Sequence, residues 1–212
     1  VYGACDPNPS HSGGADKILE SAGIKVVTGI LEEECQDLIR GFSTVQTLGR
    51  PWLIAKTAMS LDGRITRPKG EGQWLSGTEA REEVQQLRTE ADAILTSGET
   101  IRRDNPALTL RGSGISSEKP QPWRVVMTQQ GLAQKDFQIF EDEWKDRTLI
   151  FQNQNKYDVL QTLAEQHGVN TVLLETGGSL LGSFLDEGLI DELVIYLTPL
   201  VTGGPSVGWE GR

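Results

Sequence analysis

Two segments of this sequence end a run of buried-type apolar residues in polar groups and glycine. In a sheet of parallel strands, that is where ligands sit. The first segment is TVLLETGGSLLGS, Thr171 to Ser183, in which Glu175 closes the apolar run and Gly177 and Gly178 precede a helical stretch. The paired glycines let the backbone approach a pyrophosphate, and Ser179 with the free N–H groups of the helix start can bind its oxygens. The spacing is not G-x-G-x-x-G, so a second reading stands beside the first: a tight strand-to-helix turn with Ser179 as N-cap. The second segment is LTSGETIRRD, Leu95 to Asp104, where another strand runs through Ser97 and Gly98 into a short helical turn. Thr100 can contact a cofactor there, and Asp104 can point a carboxylate into the cleft or merely close an Asx-turn.

Charged residues add to this picture. Lys56 sits in an otherwise apolar run within AKTAMSLDGR, Ala55 to Arg64, and a lysine so placed needs an anion or solvent. Arg88 lies near the end of a helix whose Ser76 and Glu79 have capping-box spacing. It stands at the margin of the apolar stripe formed by Ala80, Val84 and Leu87, where a cation also complements the helix dipole. Arg111 follows the alternating stretch from Leu108 to Leu110 and suits either a ligand or a solvated strand end. Trp74 can stack on a planar ring, although a Trp beside Leu75 suits a core equally well. The Asp186, Glu187, Asp191, Glu192 cluster reads as a solvated helix end. His11 and His167 lack H-x-E or H-E-x-x-H context, and Cys5 and Cys35 lie in no C-x-x-C arrangement, so no metal site and no disulfide framework is expected.

The whole chain bounds what such residues can do. Its 212 residues, 37% of them hydrophobic, suit a globular protein with one substantial core, or one core plus a piece of another. A formal net charge of -10 repels polyanions, which argues against nucleic acid and against an anionic membrane surface. A phosphorylated small molecule then needs a local basic pocket. There is no apolar run of bilayer length and no signal-peptide pattern at Val1, which reads as a cut start. The expected location is cytoplasmic, or plastid if the chain comes from a plant.

The elements that position these residues follow from periodicity. Up to Gly49 the pattern predicts strand (Val1 to Ala4), helix (Ala15 to Ala22), strand (Lys25 to Thr28) and helix (Leu31 to Phe42), with Gly23 at a helix C-cap. This β-α-β-α piece resembles the trailing edge of a larger sheet. Thr44 to Pro51 is polar and marked by Gly and Pro, which predicts a boundary between a domain over residues 1–49 and another over 50–212. In the second, strands are predicted at Trp52 to Ala58, Ala93 to Thr96, Trp123 to Thr128, Thr148 to Phe151, Thr171 to Leu174 and Leu193 to Leu197. Helices are predicted at Thr78 to Glu90, Tyr157 to His167 and Ser179 to Glu187. This alternation makes an α/β fold with a mostly parallel sheet flanked by helices.

Taken together, KTAMSLDGRI with GQWLSGTEAR, LRTEADAILTSGETIRRDNPALTLR, and LLETGGSLLGSFLDEGLIDELVIYLTPLVTGG resemble, in order and spacing, the reductase domain of the bifunctional pyrimidine deaminase/uracil reductases of riboflavin synthesis. DPNP with AGIKVVTGILEEECQDLIRGF is similar to the tail of the deaminase domain that precedes it. The resemblance implies a dihydrofolate-reductase-like domain after a fragment of a cytidine-deaminase-like one, with the terminal strands beyond Arg212 missing. It implies an NADPH-dependent reductase of 5-amino-6-(5-phosphoribosylamino)uracil and a homodimer. Zinc belongs only to a deaminase portion whose H-x-E and P-C-x-x-C segments this chain lacks. Around NADPH the resemblance places Ala58, Trp74, Thr100, Asp104 and the turn of Gly177, Gly178, Ser179, Leu180, Leu181, Gly182 and Ser183. Around the substrate phosphate it places Gly72, Arg88, Leu108 and Arg111, with Lys56 and Glu175 near the ribose. Asp104, Glu175 and Lys56 are the implied catalytic groups. Two positions depart from the family pattern: Thr128 and Gln129 replace a common Asp-Ser, and Gly72 replaces a common Ser. Two alternatives remain open at this level: a related reductase of another pyrimidine or a pterin, and a non-catalytic nucleotide-binding fragment.

Overall fold

The computed structural model describes residues 1–11, 14–67, 75–112, 119–133 and 136–203. They group into two units, one of Val1–Trp52 with Leu160–Asn170 and one of Leu53–Val159 with Thr171–Arg212. The first unit holds α1 (Ala15–Ser21), α2 (Glu32–Leu38) and α3 (Arg40–Leu48), together with most of the later helix Lys156–His167. The remaining elements follow in the order β1 (Trp52–Ser60), α4 (Thr78–Glu90), β2 (Ala93–Ser97), α5 (Gly98–Asp104), β3 (Trp123–Thr128), β4 (Thr148–Gln152), α6 (Lys156–His167), β5 (Thr171–Glu175), α7 (Gly178–Asp186) and β6 (Glu192–Thr198).

The six strands make one parallel sheet in the order β4-β3-β2-β5-β1-β6. Central parallel strands are covered on both faces, so they read as continuous apolar runs, not as alternations. Leu53, Ile54 and Ala55 of β1, Ala93 to Leu95 of β2 and Val172 to Leu174 of β5 are fully buried in this way. Each connection between parallel strands is a crossover, which brings all the strand C-termini to one end of the sheet. The predicted α/β architecture is therefore present, with each predicted strand and helix from Trp52 onward found within two residues of its expected ends.

The N-terminal expectations need correction. No strand forms over Val1–Ala4 or Lys25–Thr28; the two segments share a hydrogen bond from Tyr2 N–H to the Val27 carbonyl (3.0 Å) instead of a ladder. The helix predicted over Leu31–Phe42 is two helices, because Ile39 takes φ -106°, ψ 10° between them and Leu31 takes a left-handed conformation (φ 51°). Gly23 does occupy the left-handed position after α1, at φ 77°. The capping box is absent: Gly77, not Ser76, caps α4, with no side-chain bond.

One polar side chain organises the β3–β4 side of the sheet. Arg124 of β3 is 1% exposed, yet all its donor nitrogens are used. Its Nε donates to Thr148 Oγ1 (3.0 Å), and Nη1 and Nη2 grip Asp142 (2.6 and 2.8 Å) while also meeting the Ala107 and Ile139 carbonyls (3.2 and 2.9 Å). Around it, Ile94, Ile101, Leu108, Val126 and Ile139 form a buried cluster, so this guanidinium ties irregular chain to the core. Hydrogen bonds from Arg124 hold the Asp142 carboxyl below the usual carboxylate range against the opposing effect of its burial. Its stabilisation is thus complete above about pH 4 and is lost as the pH falls through the lowered native value. Asp142→Asn is expected to cost roughly 3 kcal/mol. The check is the urea midpoint at neutral pH, with the gap between parent and variant narrowing on acidification.

Candidate active site

Glu175 ends β5 and Arg88 occupies the last turn of α4, and the two meet in a bidentate ion pair with N···O distances of 2.6 and 3.0 Å. The helix places Arg88 one turn past Val84, on its buried stripe and not at the margin, leaving the arginine 7% exposed. Its remaining Nη1 bond goes to the Thr109 carbonyl at 3.1 Å. Three of the five guanidinium donors are therefore used within the chain, so Arg88 orients Glu175 besides contributing charge.

Two further cations act on this carboxylate. Burial pushes Glu175 upward, but the charge and hydrogen bonds of Arg88, then the charges of Lys56 and Arg111, bring it below its ordinary value. It is ionised at neutral pH. Lys56 is shifted downward, chiefly because it is buried; Glu175 opposes that shift and Arg88 reinforces it. Three cations thus surround one carboxylate in a chain of net charge -10, a local excess of positive charge suited to a small anion.

The segment from Ala107 to Arg111 runs past this cluster and is held by side chains along its length. Arg124 takes the Ala107 carbonyl and Arg88 that of Thr109. The Gln121 amide receives Leu110 N–H at 2.7 Å and donates back to its carbonyl at 3.4 Å, while Gln85 Oε1 accepts Arg111 N–H at 3.0 Å. Leu108 is buried with φ 52°, a conformation uncommon outside glycine. Sequence reasoning named Leu108 and Arg111 but missed Gln85, Gln121 and Arg124. Arg124 sits in an apolar strand much as Lys56 does, and that was the available signal.

The turn between β5 and α7 has the features expected of an anion cradle. Gly177 is the N-cap of the nine-residue helix α7, no side chain caps it, and a Cβ at Gly177 would meet nothing within 4 Å. Ser179 is therefore not the cap but an exposed residue of the first turn. The first bond is Leu181 N–H to the Gly177 carbonyl (3.2 Å), which leaves the N–H groups of Gly178, Ser179 and Leu180 without helical partners. Leu181 and Gly182 are buried in the helix body, and the Ser183 hydroxyl donates to the Leu180 carbonyl at 2.8 Å. These groups fit the pyrophosphate of a dinucleotide.

The β2 end is built differently. Ser97 caps α5 by accepting Thr100 N–H at 3.1 Å, and its hydroxyl lies 2.9 Å from that of Thr100. Asp104 is at the far end of α5, exposed, with its carboxylate 3.8 Å from Arg103 Nε. The following turn is made by Asn105 at φ 40°, whose side chain accepts Gln138 N–H. Ala58 lies two residues past Lys56, on the same face of β1. Thr128 spends its hydroxyl on the Gln130 carbonyl (2.5 Å), and Gly98 leaves it room, since a Cβ there would stand 2.4 Å from Thr128 Oγ1. Gly72 and Trp74 lie outside the described residues. Among the described residues no group of His, Cys, Asp and Glu could hold a metal ion, and no helix is long and apolar enough to cross a membrane.

Both the sequence and the fold match known proteins. Residues 51–211 match the sequence family described as RibD C-terminal domain. The riboflavin biosynthesis protein RibD of Escherichia coli is 33% identical over an alignment covering 96% of this chain and 63% of that protein. The structure of Acinetobacter baumannii RibD superposes with a TM-score of 0.88 at 34% identity, covering all of this chain and 64% of that one. A Thermotoga maritima diaminohydroxyphosphoribosylaminopyrimidine deaminase/5-amino-6-(5-phosphoribosylamino)uracil reductase superposes with a TM-score of 0.85 at 29% identity, over all of this chain and 63% of that one. The chain thus spans less than two thirds of the length of these relatives.

The downward shift of Lys56 means that its charge opposes folding wherever it is protonated in the folded chain. Lys56→Met is expected to raise stability by about 1 kcal/mol at neutral pH. Denaturant unfolding would register this as a higher midpoint, and the advantage should vanish above about pH 10.5, where the unfolded lysine also loses its proton.

Proposed function

Because the chain belongs to the RibD C-terminal domain family, we propose that it is the reductase of riboflavin synthesis that converts 5-amino-6-(5-phosphoribosylamino)uracil to its ribitylamino product with NADPH. The observation that carries this reading is the buried Arg88–Glu175 pair, with Lys56 and Arg111 acting on it, at the same sheet end as the uncapped start of α7. One end of that site suits a sugar phosphate and the other a dinucleotide.

Roles follow from the chemistry of each group. The N–H groups of Gly178, Ser179 and Leu180 hold the pyrophosphate, with Thr100 and the Ala58 backbone along the rest of the cofactor. Arg111, the Leu108 neighbourhood and the outer edge of Arg88 receive the substrate phosphate. Glu175, kept ionised and aimed by Arg88, accepts hydrogen bonds from ribose hydroxyls, while Lys56 polarises or anchors the opened sugar. NADPH, when bound, would supply a hydride for C1' of the ring-opened, imine-like form of the sugar, whose nitrogen takes up a proton as the C=N bond becomes C–N. The chain's own part is to hold that carbon in place and keep water out. Asp104, whose carboxylate stands outside the Arg88 cluster, is the candidate for proton handling at the cofactor side. Homodimeric assembly belongs to the same reading.

NADPH oxidation followed spectroscopically should depend on this substrate. Removing the substrate's 5-phosphate should lower kcat/KM about 100-fold, the effect of losing charge-assisted bonds worth 1.5–3 kcal/mol. Indifference to the phosphate would point to a different pyrimidine or pterin as substrate. Asp104→Asn should lower kcat; full activity in that variant would remove Asp104 from the mechanism.

A further inference from the structure

The roles assigned so far leave several buried polar groups without a task, and one of them lies beside the site. Tyr196 of β6 pairs with Ala58 in the β1–β6 register, so it projects from the sheet face that carries Lys56 and Ala58. Lys56 Nζ stands 5.9 Å from the centre of its ring. The Tyr196 hydroxyl is shielded from solvent and, among the described residues, has no hydrogen-bond partner. Buried hydroxyls are ordinarily satisfied, and an unsatisfied one costs folding free energy that a phenylalanine would avoid. Thr96 and Thr176 also carry buried hydroxyls without partners, but Tyr196 is the one whose ring lies against a charged site residue.

Space and charge agree with a ligand-directed role. Tyr196 lines an open surface depression together with Ser76, Ala80 and Glu83. Burial, and then the charges of Glu83 and Glu175, push its ionisation above the usual tyrosine range, so the phenol keeps its proton and is a donor throughout the neutral range. Lys56 and Tyr196 thus offer two donors on the neighbouring strands β1 and β6, with the acceptor Glu175 at the end of β5, on the other side of β1. That is a complementary set for a polyhydroxylated sugar, whose oxygens both give and take hydrogen bonds.

We propose that Tyr196 is a further substrate-facing residue of this site, its hydroxyl donating a hydrogen bond to a sugar oxygen held beside Lys56 and Glu175. The assignment rests on the reductase reading and adds to it a determinant of sugar recognition, with no proton transfer required of the phenol.

The test compares the full chain with Tyr196→Phe. With NADPH saturating, kcat/KM for 5-amino-6-(5-phosphoribosylamino)uracil should fall about tenfold, the effect of one lost hydrogen bond. The KM for NADPH should stay within twofold and Tm should be equal or higher, since the variant removes an unsatisfied group; a merely structural hydroxyl would leave kcat/KM alone. A kcat/KM within twofold of the parent overturns the assignment. If the parent itself turns over nothing, the reductase reading fails, and Tyr196 is then judged by calorimetric titration of both proteins with ribose 5-phosphate. Binding about tenfold weaker in the variant sustains the sugar contact; equal affinity, or no binding by the parent, overturns it.

Discussion

The Arg88–Glu175 ion pair is the interaction on which the site depends. It joins the last turn of α4 to the end of β5 across 87 residues of sequence, and its third bond reaches the Thr109 carbonyl. Taking two opposite charges out of water is costly, and such a pair seldom stabilises a fold more than apolar residues of the same shape would. What it does provide is direction. A carboxylate held by two parallel N–H···O bonds cannot rotate, so the face it presents is set by the arginine behind it.

Lys56 shows the opposite balance. Its charge is disfavoured by burial more than Glu175 favours it, so the fold would be easier to form without it. A group kept at such a cost, beside a fixed carboxylate and under an aromatic ring, is better explained by what it does to a ligand than by what it does for the fold.

The β-sheet was legible because its central strands are buried on both faces: their apolar runs closed by polar residues could be bounded within two residues. Before Trp52 the same reasoning failed, since Val1–Ala4 and Lys25–Thr28 have strand composition but share only the Tyr2–Val27 bond where a ladder was expected. Ser76 and Glu79 had the spacing of a cap, yet the chain turns at Gly77, one residue later. At the site, Glu175, Lys56 and the glycine turn announced themselves as polar interruptions of apolar patterns. Arg88 was visible, but its commitment to Glu175 was not, because a bond across 87 residues leaves no trace in local periodicity. Gln85 and Gln121 were invisible for the same reason: an amide that caps a distant backbone has the composition of any surface residue.

The held segment from Ala107 to Arg111 has one more consequence. Its carbonyls and N–H groups are bound by side chains from α4, β3 and the approach to β3, and Leu108 within it takes a left-handed conformation. A loop left floppy would have to surrender conformational freedom on each encounter, at roughly 1–2 kcal/mol per backbone residue ordered. Here that freedom is given up when the polypeptide folds, so the anion proposed to bind there would meet a mould that has already set, its residence governed by the contacts it makes.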